Sequence, residues 1–84
     1  MIYNRIALLR MEQNISRKRL ARNVDVHYQT IGFIERGDYS PSLELAFKIA
    51  RTLHVPISVV FSDKPFQPLF NNVKDIATNE ATNE

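Results

Sequence analysis

Between about Tyr3 and Phe61 the apolar positions recur at helical spacing in five short segments, and no stretch alternates apolar and polar residues long enough to make a strand. The pattern predicts an all-α domain. A first helix, near Asn4–Gln13, carries Ile6 and Leu9 on one stripe and should end at Asn14, a residue that tolerates helix termini. Ser16 is a natural N-cap for a second helix, Arg17–Asn23, which buries Leu20 and Ala21 with Val24 just beyond, and turns Lys18, Arg19 and Arg22 to solvent. Asp25 interrupts the periodicity. A third helix, from His27 or Tyr28 to Arg36, places Ile31 and Ile34 inward and ends at Gly37, its expected C-cap. Ser42 caps a fourth, the most hydrophobic of the set, in which Leu43, Ala46, Phe47, Ile49, Ala50 and Leu53 are expected to supply core. A last turn near Pro56–Phe61 opens with proline, which suits a position that needs no amide donor.

After Phe61 the composition shifts to prolines, asparagines and a duplicated Ala-Thr-Asn-Glu. The boundary therefore falls there: residues 1–61 form one domain and residues 62–84 a tail. Within the tail, 62–73 is apolar enough to dock on the domain or on a second subunit, and 74–84 reads as a flexible end. Charge divides at the same point. Residues 1–61 hold nine Lys/Arg against five Asp/Glu, a net of +4, whereas residues 62–84 hold two Lys against four acids, a net of −2. A basic folded part suits a polyanionic partner, though it also serves plain solubility.

Eighty-four residues support a single small core and leave no room for a second ligand-binding domain. The absence of cysteine excludes disulfides and thiolate metal sites. No apolar run approaches a membrane span, so a cytoplasmic protein is expected. Only His27 and His54 suit acid–base work near neutral pH, and nothing organises them with a nucleophile or a metal-ligand set. An enzyme is not expected, nor is a cofactor or a metal. RNA binding would call for stacked aromatics on a sheet or a glycine clamp, and neither is present.

The informative feature is the junction of the second and third helices. Their axes must approach closely where they cross, and Ala21 is the small residue that permits it. Val26 fills the turn, Ile31 and Ile34 close the far side, and Tyr28, Gln29, Gly32, Phe33 and Arg36 should face outward.

These residues resemble the phage-repressor and Cro-like (XRE-type) helix-turn-helix regulators. The likeness covers about Asn4–Phe61 and rests on Arg17-Lys18-Arg19-Leu20-Ala21, Val26-His27-Tyr28-Gln29-Thr30-Ile31, Ile34-Glu35-Arg36-Gly37 and Pro41-Ser42-Leu43-Glu44, with Lys48-Ile49-Ala50, Val55 and Phe61 completing it. The resemblance implies a compact five-helix domain that binds double-stranded DNA as a transcription regulator; a repressor is expected over an activator because blocking a promoter needs no further contact surface. Its helix Tyr28–Arg36 would lie in the major groove. Tyr28, Gln29, Gly32 and Phe33 are then the expected base readers, and Gln29 is suited to adenine N6 and N7. Ser16, Arg17, Arg36, Tyr39 and Ser40 are the expected phosphate contacts, and Arg10 and Glu35 an internal pair. Two recognition helices are needed for useful specificity, so a homodimer is expected through Ile57, Phe61, Phe66 and Phe70. The same fold also serves antitoxins and regulators governed by a protein partner, which is the alternative reading. This chain departs from the usual pattern at Asp25 and His54, where glycine is common, and at His27, where Ser or Thr usually caps.

Overall fold

The computed structural model describes residues 1–67. Five helices follow one another: α1 (Ile6–Glu12), α2 (Arg17–Asn23), α3 (Tyr28–Glu35), α4 (Leu43–Thr52) and α5 (Ile57–Val60). Two short strands frame them. β1 (Tyr3–Asn4) and β2 (Phe61–Ser62) pair antiparallel, with Tyr3 opposite Ser62 and Asn4 opposite Phe61. A two-residue ladder has no room to show alternation, so periodicity could not announce it. It fastens the entrance of the domain to its exit, aided by the Arg5 amide donating to the Val60 carbonyl at 2.8 Å.

Side-chain caps open three of the helices, α2, α3 and α4. The Ser16 hydroxyl accepts from the Arg19 amide at 3.0 Å, and the Ser42 hydroxyl accepts from the Leu45 amide at 3.1 Å. His27 does the same for α3 through its ring, Nδ1 accepting from the Gln29 amide at 3.1 Å. The unusual cap therefore works as a cap.

At the other ends one device recurs four times. Asn14, Asp25, Gly37 and His54 all have positive φ, of 57°, 62°, 81° and 61°. In each case the following amide reaches back to a carbonyl five residues earlier: Ile15 to Arg10, Val26 to Ala21, Asp38 to Phe33 and Val55 to Ala50, at 2.9 to 3.2 Å. These are left-handed caps with the paired bonds of the Schellman type, and they satisfy carbonyls that would otherwise be orphaned. Three of the four following residues, Ile15, Val26 and Val55, pack on the core. The fourth is Asp38, so only the turn after α3 stays polar.

A left-handed conformation costs a residue with a Cβ about 1–2 kcal/mol, and His54 is exposed with φ of 61°. His54→Gly should therefore raise stability by about 0.5–1 kcal/mol after the greater unfolded-state entropy of glycine is deducted. Thermal unfolding of the two proteins side by side checks this, and a lower midpoint for the glycine variant would contradict it.

The core is assembled from every helix: Ile6 and Leu9 of α1, Leu20 and Ala21 of α2 with Val24, Ile31 and Ile34 of α3, Ile49 and Ala50 of α4 with Leu53, and Val60 of α5. Two apolar residues expected there are exposed instead, while Ala46 is buried as expected. Leu43 is 70% exposed and Phe47 43%. The sunken side of α4 consists of Ala46, Ile49 and Ala50, and Leu43 and Phe47 lie one turn apart on another side. The helix is apolar over more of its circumference than one core contact can cover, so periodicity alone did not separate the two faces.

Candidate nucleic-acid interface

Ala21 is 2% exposed and Ile31 is wholly buried, and α2 and α3 pack against each other through them. That small residue at the crossing lets the helices approach while the tight turn at Asp25 sets their angle. With Ile31 and Ile34 turned inward, Tyr28, Gln29, Phe33 and Arg36 are exposed. Gly32 is not. It is buried, because its backbone lies beneath the Arg36 side chain, whose Nη1 would sit 3.4 Å from a Cβ added there. The outward set is thus four side chains around a recessed glycine. Arg17 joins them from α2, and the six residues line one cleft of about 230 Å³.

Charge and aromatic surface alternate across this face. The His27 and Tyr28 rings stack with centroids 4.6 Å apart, and the Lys18 ammonium lies 5.3 Å from the Tyr28 ring. On the following turn the Arg36 guanidinium lies 5.1 Å from the Phe33 ring while its Nε donates to Asp38 at 3.2 Å. Tyr39 is 51% exposed and shares a second cleft with Thr30, Phe33 and Asp38. Ser40 is exposed beside it, and Ser16 and Arg17 are exposed at the start of α2. Backbone amides at that start carry the positive end of the helix dipole.

Beneath the face lies an ion-pair group centred on Glu35, whose side chain is 4% exposed. Arg10 donates through Nε to Glu35 Oε2 at 2.7 Å and through Nη1 to the Ile15 carbonyl at 3.0 Å. Arg17 donates through Nε to the other carboxylate oxygen at 2.7 Å. The Arg10–Glu35 pair was legible from resemblance; the second arginine was not. Arg17 is expected from sequence only as a phosphate contact, and its Nε is in fact committed to α3. One carboxylate thereby ties α1, α2 and α3 together directly under the exposed surface.

Asn4 is a further support that sequence reasoning passed over. Its Nδ2 donates to the Ile34 carbonyl at 2.9 Å, and its Oδ1 accepts from the Ile6 amide at 3.0 Å. It caps the end of α3 and the start of α1 at once, a role invisible without knowing that residues thirty apart meet. Gln13 makes a comparable long-range bond, Nε2 donating to the Leu53 carbonyl at 2.7 Å.

The residues expected to meet a second subunit lie elsewhere. Ile57 and Phe61 are half-buried against the domain's own core. Phe66 is half-buried under the Arg5 guanidinium, 4.1 Å from its ring centroid, and borders a groove with Leu8, Leu9, Glu12 and Val59. Phe70 lies outside the described residues. Among the described residues no helix is long and apolar enough to cross a membrane.

Two short helices with a close crossing and a tight left-handed turn, the second presenting a polar and aromatic face beside basic side chains, define a helix-turn-helix protein. The sequence profile of the helix-turn-helix family matches residues 6–60. An uncharacterized HTH-type transcriptional regulator of Archaeoglobus fulgidus is 44% identical over 57 residues, 68% of this chain and 80% of that one. Among solved structures, a Bacteroides fragilis protein superposes with a TM-score of 0.68 at 26% identity, over 74% of this chain and all of that one. The restriction-modification controller protein C.AhdI of Aeromonas hydrophila does so with a TM-score of 0.59 at 27% identity, over 62% of this chain and 79% of that one. The chain belongs to the helix-turn-helix family, in its phage-repressor and Cro-like class of DNA-binding transcription regulators, and not to a family of enzymes.

Proposed function

We propose that this protein represses transcription in the cytoplasm by binding a specific duplex DNA site with α3 in the major groove. One observation carries the reading: the exposed side of α3, with Tyr28, Gln29 and Phe33, is held rigid from behind by Ile31 and Glu35 while Arg17 and Arg36 flank it. Gln29 has the amide needed to pair with adenine N6 and N7, and the aromatic rings offer apolar contact beside it. The sequence-independent grip comes from Ser16 and Arg17 at the start of α2 and from Arg36, Tyr39 and Ser40 around the turn after α3. Ser16 contributes through its position at the helix end, since its hydroxyl already serves the Arg19 amide.

A single helix of eight residues reads few base pairs, and the protein acts as a homodimer. Ile57, Phe61 and Phe66 are the described residues that would line the contact. Its two half-sites should lie about 34 Å apart, one turn of the duplex. Control by a protein partner is the second reading, favoured by Leu8 and Met11, which are 50% and 64% exposed on α1.

Selection of bound sites from random duplex DNA tests the proposal, which predicts a palindromic site with that half-site spacing. Recovery of no motif would defeat it. Against the selected site, Arg17→Ala should weaken binding on every sequence alike and reduce the slope of log K against log salt by about 0.9. Gln29→Ala should instead relax preference at one position per half-site, with a discrimination loss of about 1–3 kcal/mol. Equal effects of the two substitutions on specific and random DNA would refute the division of labour.

A further inference from the structure

Asn4 makes more bonds than its own surroundings ask of it. Its Oδ1 accepts from the Ile6 amide, the first of α1, at 3.0 Å, and an aspartate or a serine could do as much. Its Nδ2 reaches thirty residues along the chain, donating to the Ile34 carbonyl at 2.9 Å and to the Glu35 carbonyl at 3.4 Å in the last turn of α3. The Ile34 carbonyl already accepts from the Gly37 amide at 3.0 Å, so satisfying it does not require Asn4. What the side chain adds is an attachment. An amide carries an acceptor and two donors on one planar group, and here both of its ends are engaged.

The backbone of the same residue is tied to the exit of the domain. Asn4 lies opposite Phe61 in the β1–β2 ladder, and the next amide, that of Arg5, donates to the Val60 carbonyl at 2.8 Å. The Arg5 guanidinium in turn covers the Phe66 ring at 4.1 Å. The principal packing partner of α3 is α2, and neither α5 nor β2 packs on it extensively. Asn4 and its neighbours therefore form a short hydrogen-bonded link from the end of the reading helix to the segment that carries Ile57, Phe61 and Phe66. Two reading helices fit one duplex only where their separation and tilt match its repeat, and one added base pair moves a half-site about 3.4 Å along the axis and about 34° around it. We infer that Asn4 is a positioning residue, a strut that fixes the angle of α3 against the subunit contact, so that the protein accepts one half-site spacing and rejects its neighbours. The inference rests on the homodimer and paired half-sites proposed above.

In the selected site, one base pair is added to or removed from the spacer between half-sites, and a single half-site is titrated in parallel, with every variant well below its melting range. The wild-type protein should bind the respaced sites about tenfold or more worse, since two half-sites are engaged together only where geometry permits. Asn4→Ala should bind the single half-site as the wild type does and lower the respacing penalty to about threefold or less. Asn4→Asp keeps the acceptor for the Ile6 amide and loses the donor to Ile34, so it should relax the spacing as Asn4→Ala does. Leu53→Ala weakens the core at a wholly buried residue just after α4 while leaving these bonds in place, and it should keep the full penalty. Asn4→Ala with the wild-type penalty overturns the inference. So does Asn4→Asp with the wild-type penalty, which would place the effect at the start of α1. Leu53→Ala relaxed to the same degree overturns it too, because a general softening would then explain the result. Selection of an unpaired motif is the separate outcome that removes the paired-site reading, and the strut with it.

Discussion

Glu35→Ala is expected to lower the stability of the domain by about 3–5 kcal/mol, as breaking a buried ion pair from one side does. The carboxylate is 4% exposed and receives two arginines, and the two would not suffer equally from its loss. The Arg17 side chain is 47% exposed and can turn to water. Arg10, at 12%, keeps its bond to the Ile15 carbonyl but is left as a buried cation without a counter-charge. The cost therefore resides in Arg10, and Arg17→Ala should cost only about 1 kcal/mol or less. For a domain of this size each kcal/mol moves the thermal midpoint about 4–8 °C, so the Glu35 variant should melt at least about 12 °C lower. Thermal or urea unfolding of both variants decides the matter. Similar losses for the two would mean that Glu35 works through Arg17 and the surface, not through the buried pair.

A second large effect separates two neighbours on α3. Ile31 is wholly buried and Phe33, two residues on, is 46% exposed. Ile31→Ala removes packed methylenes and leaves a cavity between α2 and α3, which should cost about 2–5 kcal/mol. Phe33→Ala should change stability by no more than about 1 kcal/mol, because the residue is 46% exposed and lies outside the core, with the Arg36 guanidinium 5.1 Å from its ring. DNA affinity should invert the order when both are measured under conditions where each is folded. The Phe33 variant loses affinity for its selected site although it is stable, and the Ile31 variant keeps its sequence preference although it is fragile. A Phe33 variant as unstable as the Ile31 variant would show that this ring is core and not reading surface.

The same helix illustrates what linear reading resolves. Ile31 and Ile34 declare their side by spacing, and Ala21 declares the crossing by its size; all three are buried as their pattern requires. Gly32 was placed outward by the same reasoning and lies under Arg36 instead. A residue without a side chain has no direction for periodicity to report, and what covers it depends on where a neighbour one turn away folds. Phe47 and Leu43 expose the complementary weakness. Hydrophobicity names a residue fit for burial, but burial also needs a partner surface, and α4 meets one on only one side.

Local chemistry along the chain determined the five helices, their serine and histidine caps, and the left-handed ends at Asn14, Asp25, Gly37 and His54, because each is settled within a few residues of backbone. Only the tertiary structure decided that Asn4 would cap α3, that Tyr3–Asn4 would pair with Phe61–Ser62, and that Arg17 would join Arg10 on one carboxylate. Those bonds join residues eighteen to about sixty positions apart, and a polar side chain carries no periodic mark of which distant partner it will meet. The frame of the reading helix was written locally; the bonds that hold it still arise from segments brought together by the core.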